Sequence, residues 1–272
     1  MNNNFKITNL AGSVELNNGV RMPYFGYGTY LLKDDECIDG VLNALNCGLR
    51  HIDTASYYEN EAEIGTALAR TNIKREKIFV TTKVWNDQQG YNKTLRAFDN
   101  SLKALKCDYI DLYLIHWPRE ESIETWKALE HLYSQKLVRA IGVSNFETKD
   151  LLRLKESSTI TPAVNQIEFT PFKQQNDTVE YCQQNNIALT AWAPLNRGVK
   201  TNHDTIKDIA AKHNKSCIQV ILRWDLQRGF TTIPKSSSIK RIKENINIFD
   251  FSLDENEMDK INSLNGIDAS RK

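Results

Sequence analysis

Apolar residues recur along this chain with two alternating periods. Ile38, Val41, Leu42 and Leu45 follow i, i+3, i+4, i+7, the spacing of one helical face. Leu95, Phe98, Leu102 and Leu105 repeat it, and Trp126, Leu129 and Tyr133 give it again. Between these faces lie short apolar runs at 25–29, 50–53, 78–83, 109–115, 138–143, 163–168, 188–192 and 231–234, the form taken by buried strands. Strands alternating with helices predict a parallel sheet with crossover helices. Eight such units fit a closed (β/α)8 TIM barrel, whose active site lies at the C-terminal strand ends. A doubly wound open sheet is the competing architecture. No composition shift marks a boundary, so residues 1–272 are expected to form one domain.

Two segments fall outside the repeat. Val14 to Met22, with Asn17-Asn18-Gly19 at its centre, reads as a β-hairpin that could plug the N-terminal end of a barrel. Near the other terminus, Asp254 is a suitable N-cap for an extra helix using Met258, Ile261 and Leu264, closed by Gly266.

Three of the apolar runs end in groups that no core requires. Asp53 closes the first, with Tyr57 and Tyr58 just beyond it; Lys83 closes the second and His116 the third. Taken singly, each has an ordinary reading: a snorkelling lysine, a hydrogen-bonded core histidine, a capping aspartate, a packed tyrosine. A barrel would bring all of them to one rim, which points to an enzyme.

Composition removes other classes. Lys+Arg 35 against Asp+Glu 34 leaves a net charge of +1, so no basic field argues for nucleic acid. No run approaches the roughly 18 apolar residues of a membrane span. The polar start, Met1 to Thr8, has no apolar signal core. The cysteines, Cys37, Cys47, Cys107, Cys182 and Cys217, are widely spaced and form no C-x-x-C pair. Free thiols in a reducing cytoplasm are expected, and no metal site.

Three longer motifs carry a family resemblance. They are Gly48-Leu49-Arg50-His51-Ile52-Asp53-Thr54-Ala55 with Glu61 and Ile64-Gly65; Arg139-Ala140-Ile141-Gly142-Val143-Ser144-Asn145-Phe146; and Ile233-Pro234-Lys235-Ser236 with Arg241 and Glu244-Asn245. In this order they closely resemble the signatures of the aldo-keto reductases, particularly short bacterial and protozoan members that reduce small dicarbonyls and keto sugars. The resemblance spans about residues 12 to 266.

The resemblance implies a catalytic tetrad of Asp53, Tyr58, Lys83 and His116. Tyr58 would donate the proton. A free phenol holds it near pKa 10, so an adjacent Lys83 ammonium is expected to lower that value. Asp53 would hold Lys83, and His116 would orient the carbonyl oxygen. Hydride must come from a carrier, because side chains cannot supply it. Gly26-Tyr27-Gly28 lacks the third glycine of a Rossmann fingerprint, so the resemblance implies NADPH lying across the barrel mouth. Ser144, Asn145 and Gln166 would bind the nicotinamide carboxamide, and Trp192, where many relatives carry Tyr, would stack on the ring. Gly28, Thr29, Pro194 and Leu195 would complete the cofactor wall. Lys235, Ser236, Ser238 and Arg241 would hold the 2′-phosphate. Glu244 and Asn245 would meet the adenine. Tyr30, Trp85, His116 and Trp117 would line the substrate pocket, suited to small aldehydes, α-dicarbonyls such as methylglyoxal, or keto sugars. A monomer is the family default.

There are departures. Residues 195–201 are brief where larger relatives fold a long loop over the pyrophosphate, which predicts fast cofactor release. Thr170 stands in Glu168-Phe169-Thr170-Pro171 where relatives commonly have Glu-Phe-His-Pro, and a pocket-walling tail is missing beyond Lys272. Two other classes fit the fold: a nicotinamide-binding regulatory subunit, and a lyase using Lys83 as a Schiff base. Neither uses all the groups above.

Overall fold

The computed structural model describes residues 7–195 and 201–267. Eight parallel strands form one curled sheet in sequence order: β3 (Tyr27–Gly28), β4 (His51–Asp53), β5 (Phe79–Val84), β6 (Ile110–Ile115), β7 (Val138–Ser144), β8 (Val164–Glu168), β9 (Ala188–Trp192) and β10 (Phe230–Thr232). Parallel bridges Phe25↔Thr232 and Gly28↔Lys235 bring its two edges together, so the architecture is that of a (β/α)8 barrel. The expected strands are all present and differ at their ends by up to two residues. The last stops at Thr232 because Pro234 has no N–H to donate, though its carbonyl still accepts from Gly28 N at 3.2 Å across the seam.

Helices α1 (Asp34–Asn46), α2 (Glu61–Arg70), α3 (Tyr91–Leu105), α4 (Ser122–Ser134), α5 (Thr148–Lys155) and α6 (Asn176–Gln184) each follow a strand. Their apolar faces supply the layer outside the sheet: Ile38, Val41 and Leu45 on α1, Phe98 and Leu105 on α3, and Trp126 and Leu129 on α4 are buried. The sequence pattern does not isolate α7 (Asp204–His213), which precedes α8 (Cys217–Gln227) between β9 and β10. Then come α9 (Ile239–Ile246) and α10 (Glu255–Asn262), the extra C-terminal helix, whose N-cap Asp254 forms a capping box with Glu257.

The hairpin of β1 (Ser13–Glu15) and β2 (Arg21–Pro23) turns at Asn18-Gly19, with Gly19 at φ +81°. Leu16 and Met22 pack with Phe79, Leu112, Leu114, Ala140, Ala163 and Val164 in a separate apolar cluster at the N-terminal half of the strands. The hairpin therefore plugs that end, as its sequence suggested. No described helix is long and apolar enough to cross a membrane.

Closure of the barrel leaves no room at Gly28, where an added Cβ would lie 2.7 Å from the Ile233 carbonyl oxygen. Gly28→Ala should therefore force the seam apart and cost about 1–3 kcal/mol, read as a lower urea midpoint. An unchanged midpoint would show that the seam yields freely.

Candidate functional site

The C-terminal strand ends deliver Asp53, Tyr58 and His116 to one cavity of about 780 Å³, while Lys83 lies buried outside its lining. Asp53 ends β4, Tyr58 closes the 3-10 turn Ser56–Tyr58 that follows, Lys83 lies in β5, and His116 directly follows β6. Ser144 ends β7, Gln166 lies in β8 paired with it, and Trp192 ends β9. Lys235 and Ser236 lie between β10 and α9, which carries Arg241, Glu244 and Asn245.

Lys83 is fully buried, and its ammonium donates to Asp53 Oδ1 at 2.7 Å and to the Thr54 carbonyl at 2.8 Å. It also lies 5.1 Å from the centroid of the Tyr58 ring. Gln166 Nε2 occupies the other carboxylate oxygen, Asp53 Oδ2, at 2.7 Å. Burial works to lower the Lys83 pKa, but Asp53 and Tyr58 outweigh it and hold the group above its ordinary value. The phenol behaves differently from expectation. Burial raises the Tyr58 pKa, and the opposing pull of Lys83 does not overcome it, so the net direction is upward. The resting pair is a protonated phenol beside a charged ammonium.

His116 is pushed down to about 2, first by burial and then by repulsion from Lys83, so its imidazole is neutral. Its ring lies edge-on to Tyr58 at 5.8 Å between centroids. Nδ1 is buried without a hydrogen-bond partner among the described residues, and His116 lines the cavity. Around these groups stands an aromatic wall. Tyr30 lies 5.0 Å from Tyr58, Trp85 4.8 Å from His116, and Trp117 6.5 Å from Trp192, between ring centroids. Tyr57, which the resemblance gives no role, stacks on Trp85 at 3.8 Å and belongs to this wall. Its adjacency to Tyr58 was the available signal. Ile233 and Pro234, from the third motif, also line the cavity, as do Leu31, Ala193 and Ile218, which carry no chemical signature in the sequence.

Every other expected cofactor or substrate residue lines the same cavity except Ser238, which caps α9 behind it. Two of the lining residues have structural duties as well. Gly28 permits the seam, and Thr29 directs both its N–H and its hydroxyl to the Asp53 carbonyl, fixing that loop to β4. Neither Lys235 nor Arg241 has an ion-pair partner among the described residues. Unpaired cations at one end of a cavity suit an anionic phosphate. Thr170 proves to be a turn residue: its Oγ1 accepts from Phe172 N and Lys173 N, a local role that needs no histidine. Residues 196–200, which carry the short-loop expectation, lie outside the described residues.

Comparisons with known proteins agree with this geometry. The aldo/keto reductase family model matches residues 25–266. The chain is 51% identical over 258 residues to the 9,11-endoperoxide prostaglandin H2 reductase of Trypanosoma cruzi (strain CL Brener), covering 93% of this chain and 91% of that one. It is 48% identical over 260 residues to the glyoxal reductase of Bacillus subtilis (strain 168), covering 95% and 94%. Among solved structures, the Bombyx mori aldo-keto reductase in complex with NADP superposes with a TM-score of 0.89 at 37% identity, covering 96% of this chain and 94% of that one. The chain belongs to the aldo/keto reductase family and is an oxidoreductase.

Two buried histidines give the site a pH signature. His51, with Nδ1 against the Pro23 carbonyl and Nε2 against Thr81 Oγ1, is lowered by burial, as is His116. Folded pKa values below the unfolded one mean that unfolding takes up protons. Their contribution to stability is complete above the ordinary value of 6.5 and falls as pH drops below it. His116, pushed to about 2, should contribute a slope of about 1.4 kcal/mol per pH unit well below 6.5. Imidazole NMR of the folded protein should show His116 not titrating between about pH 5 and 8; titration of His116 in that window would contradict the assignment.

Proposed function

We propose that this chain reduces aldehydes and ketones to alcohols with NADPH, Tyr58 donating the proton. The observation that carries the reading is the buried Lys83–Asp53 pair set against the Tyr58 phenol on the floor of an aromatic cavity. NADPH, when bound, supplies the hydride. The chain's own residues supply the rest. The raised Tyr58 pKa keeps its proton in place at neutral pH until charge develops on the substrate oxygen. The neighbouring ammonium then stabilises the phenolate left behind, a Coulomb interaction strengthened by exclusion of water. Asp53 keeps that ammonium charged and pointed. His116, neutral and lining the cavity, would donate a ring N–H to the carbonyl oxygen.

The cavity fits the cofactor along its length. Ser144, Asn145, Gln166 and Trp192 would hold the nicotinamide at one end. Lys235, Ser236 and Arg241 would take the phosphate at the other, with Ser238 starting α9 and with Glu244 and Asn245 toward the adenine. Tyr30, Trp85 and Trp117, with Tyr57, enclose the carbonyl compound. Their half-open aromatic surface suits small aldehydes, α-dicarbonyls such as methylglyoxal, or keto sugars. The relatives named above differ widely in the substrates their names carry, so recognition by this wall is read as broad. The protein is taken to act as a monomer in the cytoplasm, where its free cysteines suit the reducing conditions.

Oxidation of NADPH, followed by absorbance with a panel of aldehydes and diketones, tests the activity; no turnover with any of them would end the reading. Tyr58→Phe should lower kcat by about 10²–10⁴-fold with NADPH affinity near wild type. Near-normal turnover would remove Tyr58 from the donor role. Arg241→Ala should weaken NADPH binding about tenfold while leaving NADH binding unchanged, since a charge-assisted bond to the 2′-phosphate is lost. Equal losses for both cofactors would place Arg241 elsewhere.

A further inference from the structure

We propose that Trp192 is a positioning residue: its indole N–H fixes the side chain of Asn145 so that it presents an acceptor, and no donor, to the cavity. The inference rests on the reading of this cavity as the nicotinamide site and assigns Trp192 a role beyond that of a flat surface.

The two ends of an asparagine amide have nearly the same shape, and its hydrogen-bond partners decide which way it points. Here the partners leave one solution. Trp192 Nε1 can only donate and lies 2.8 Å from Asn145 Oδ1. The His116 backbone carbonyl can only accept and lies 3.0 Å from Asn145 Nδ2. The second Nδ2 hydrogen goes to Ser144 Oγ at 3.1 Å, whose own hydrogen goes to the Gln166 carbonyl at 2.8 Å. The backbone is held as well. Asn145 has φ +62°, a left-handed conformation that asparagine tolerates, and its N–H donates to the Gln166 carbonyl at 2.9 Å. Both donors of the amide and the donor of the Ser144 hydroxyl are thereby spent inside the protein. What remains of Asn145 is a second lone pair on Oδ1, on a wall that it shares with Trp192.

An acceptor fixed in this way selects a ligand group that carries N–H, such as a primary carboxamide, over a ketone or carboxylate of the same shape. A phenylalanine ring at position 192 could still pack flat, but it has no N–H to hold Oδ1. The amide would then turn more freely, and selection for the carboxamide would fade.

Binding of three ligands to wild type and Trp192→Phe tests this: NADPH, its 3-acetylpyridine analogue, in which a methyl ketone replaces the carboxamide, and 2′-phospho-ADP-ribose, which lacks the pyridine ring. The variant should bind NADPH about tenfold more weakly and the other two within about twofold of wild type, so that the preference for NADPH over its analogue collapses. Equal weakening of NADPH and the analogue would make Trp192 a stacking surface only. Weaker binding of the ring-less fragment would make it a structural residue, and an unchanged NADPH affinity would leave it without this role; each of these overturns the proposal. Wild-type protein that binds the fragment but not NADPH would overturn the proposed function along with it.

Discussion

A charged ammonium sealed from water is the constraint around which this protein is organised. Lys83 has no exposed surface, and an isolated buried charge costs several kcal/mol unless it is met by partners. Asp53 Oδ1 and the Thr54 carbonyl meet it, the Tyr58 ring lies alongside, and Gln166 completes the carboxylate from the other side. Such a pair contributes little stability that apolar residues of the same volume could not supply. Its presence is better explained by the field it places beside the Tyr58 hydroxyl. The raised phenol pKa shows that this field does not ionise Tyr58 at rest. It acts on the phenolate, and so it stabilises the charge that proton donation would create.

The barrel makes that arrangement possible because parallel strands all end at the same rim. Asp53 stands opposite Thr81 in the β4–β5 ladder, two residues before Lys83, so the lysine side chain reaches back to the carboxylate within the barrel. The hairpin residues Leu16 and Met22 fill the N-terminal end with apolar atoms, and of the pair only Asp53 lines the cavity. Hydrogen bonds from Gln166 to Asp53, and from Ser144 and Asn145 to the Gln166 carbonyl, tie the rim of β7 and β8 to the same carboxylate. The proposed nicotinamide end and the proposed proton donor therefore share one hydrogen-bonded frame.

Much of this was legible in the chain because the signals were periodic or bore charge. Helical spacing located α1, α3 and α4, short apolar runs located the strands, and Asn-Gly marked the hairpin. The groups at strand ends stood out because a buried strand has no other use for Lys83 or Asp53. What escaped depended on depth or shape. The helix α7 carries a short apolar set, Ile206, Ile209 and Ala210, next to α8, and the two do not separate by pattern. The direction of the Tyr58 shift needed the balance of burial against one charge, which only coordinates provide. Leu31, Ala193 and Ile218 reach the cavity wall through loop and helix geometry that side-chain chemistry does not announce.

Charge is distributed unevenly along the cavity, and this bears on the order of its contents. At the end bounded by Tyr30, Tyr57, Trp85 and Trp117, the wall is aromatic, and the cation beneath it is already neutralised by Asp53. At the other end, Lys235 and Arg241 are free of ion-pair partners among the described residues. An anionic dinucleotide phosphate has a clear electrostatic preference between these ends, and a neutral carbonyl compound has none. On the proposed reading, charge would orient the larger ligand with its pyridine ring toward Tyr58, while shape and desolvation would seat the smaller one. A wall that discriminates by contact area more than by charge would suit neutral carbonyls of similar size, and among the described residues that line this end no Lys or Arg competes with Lys83 for the phenol.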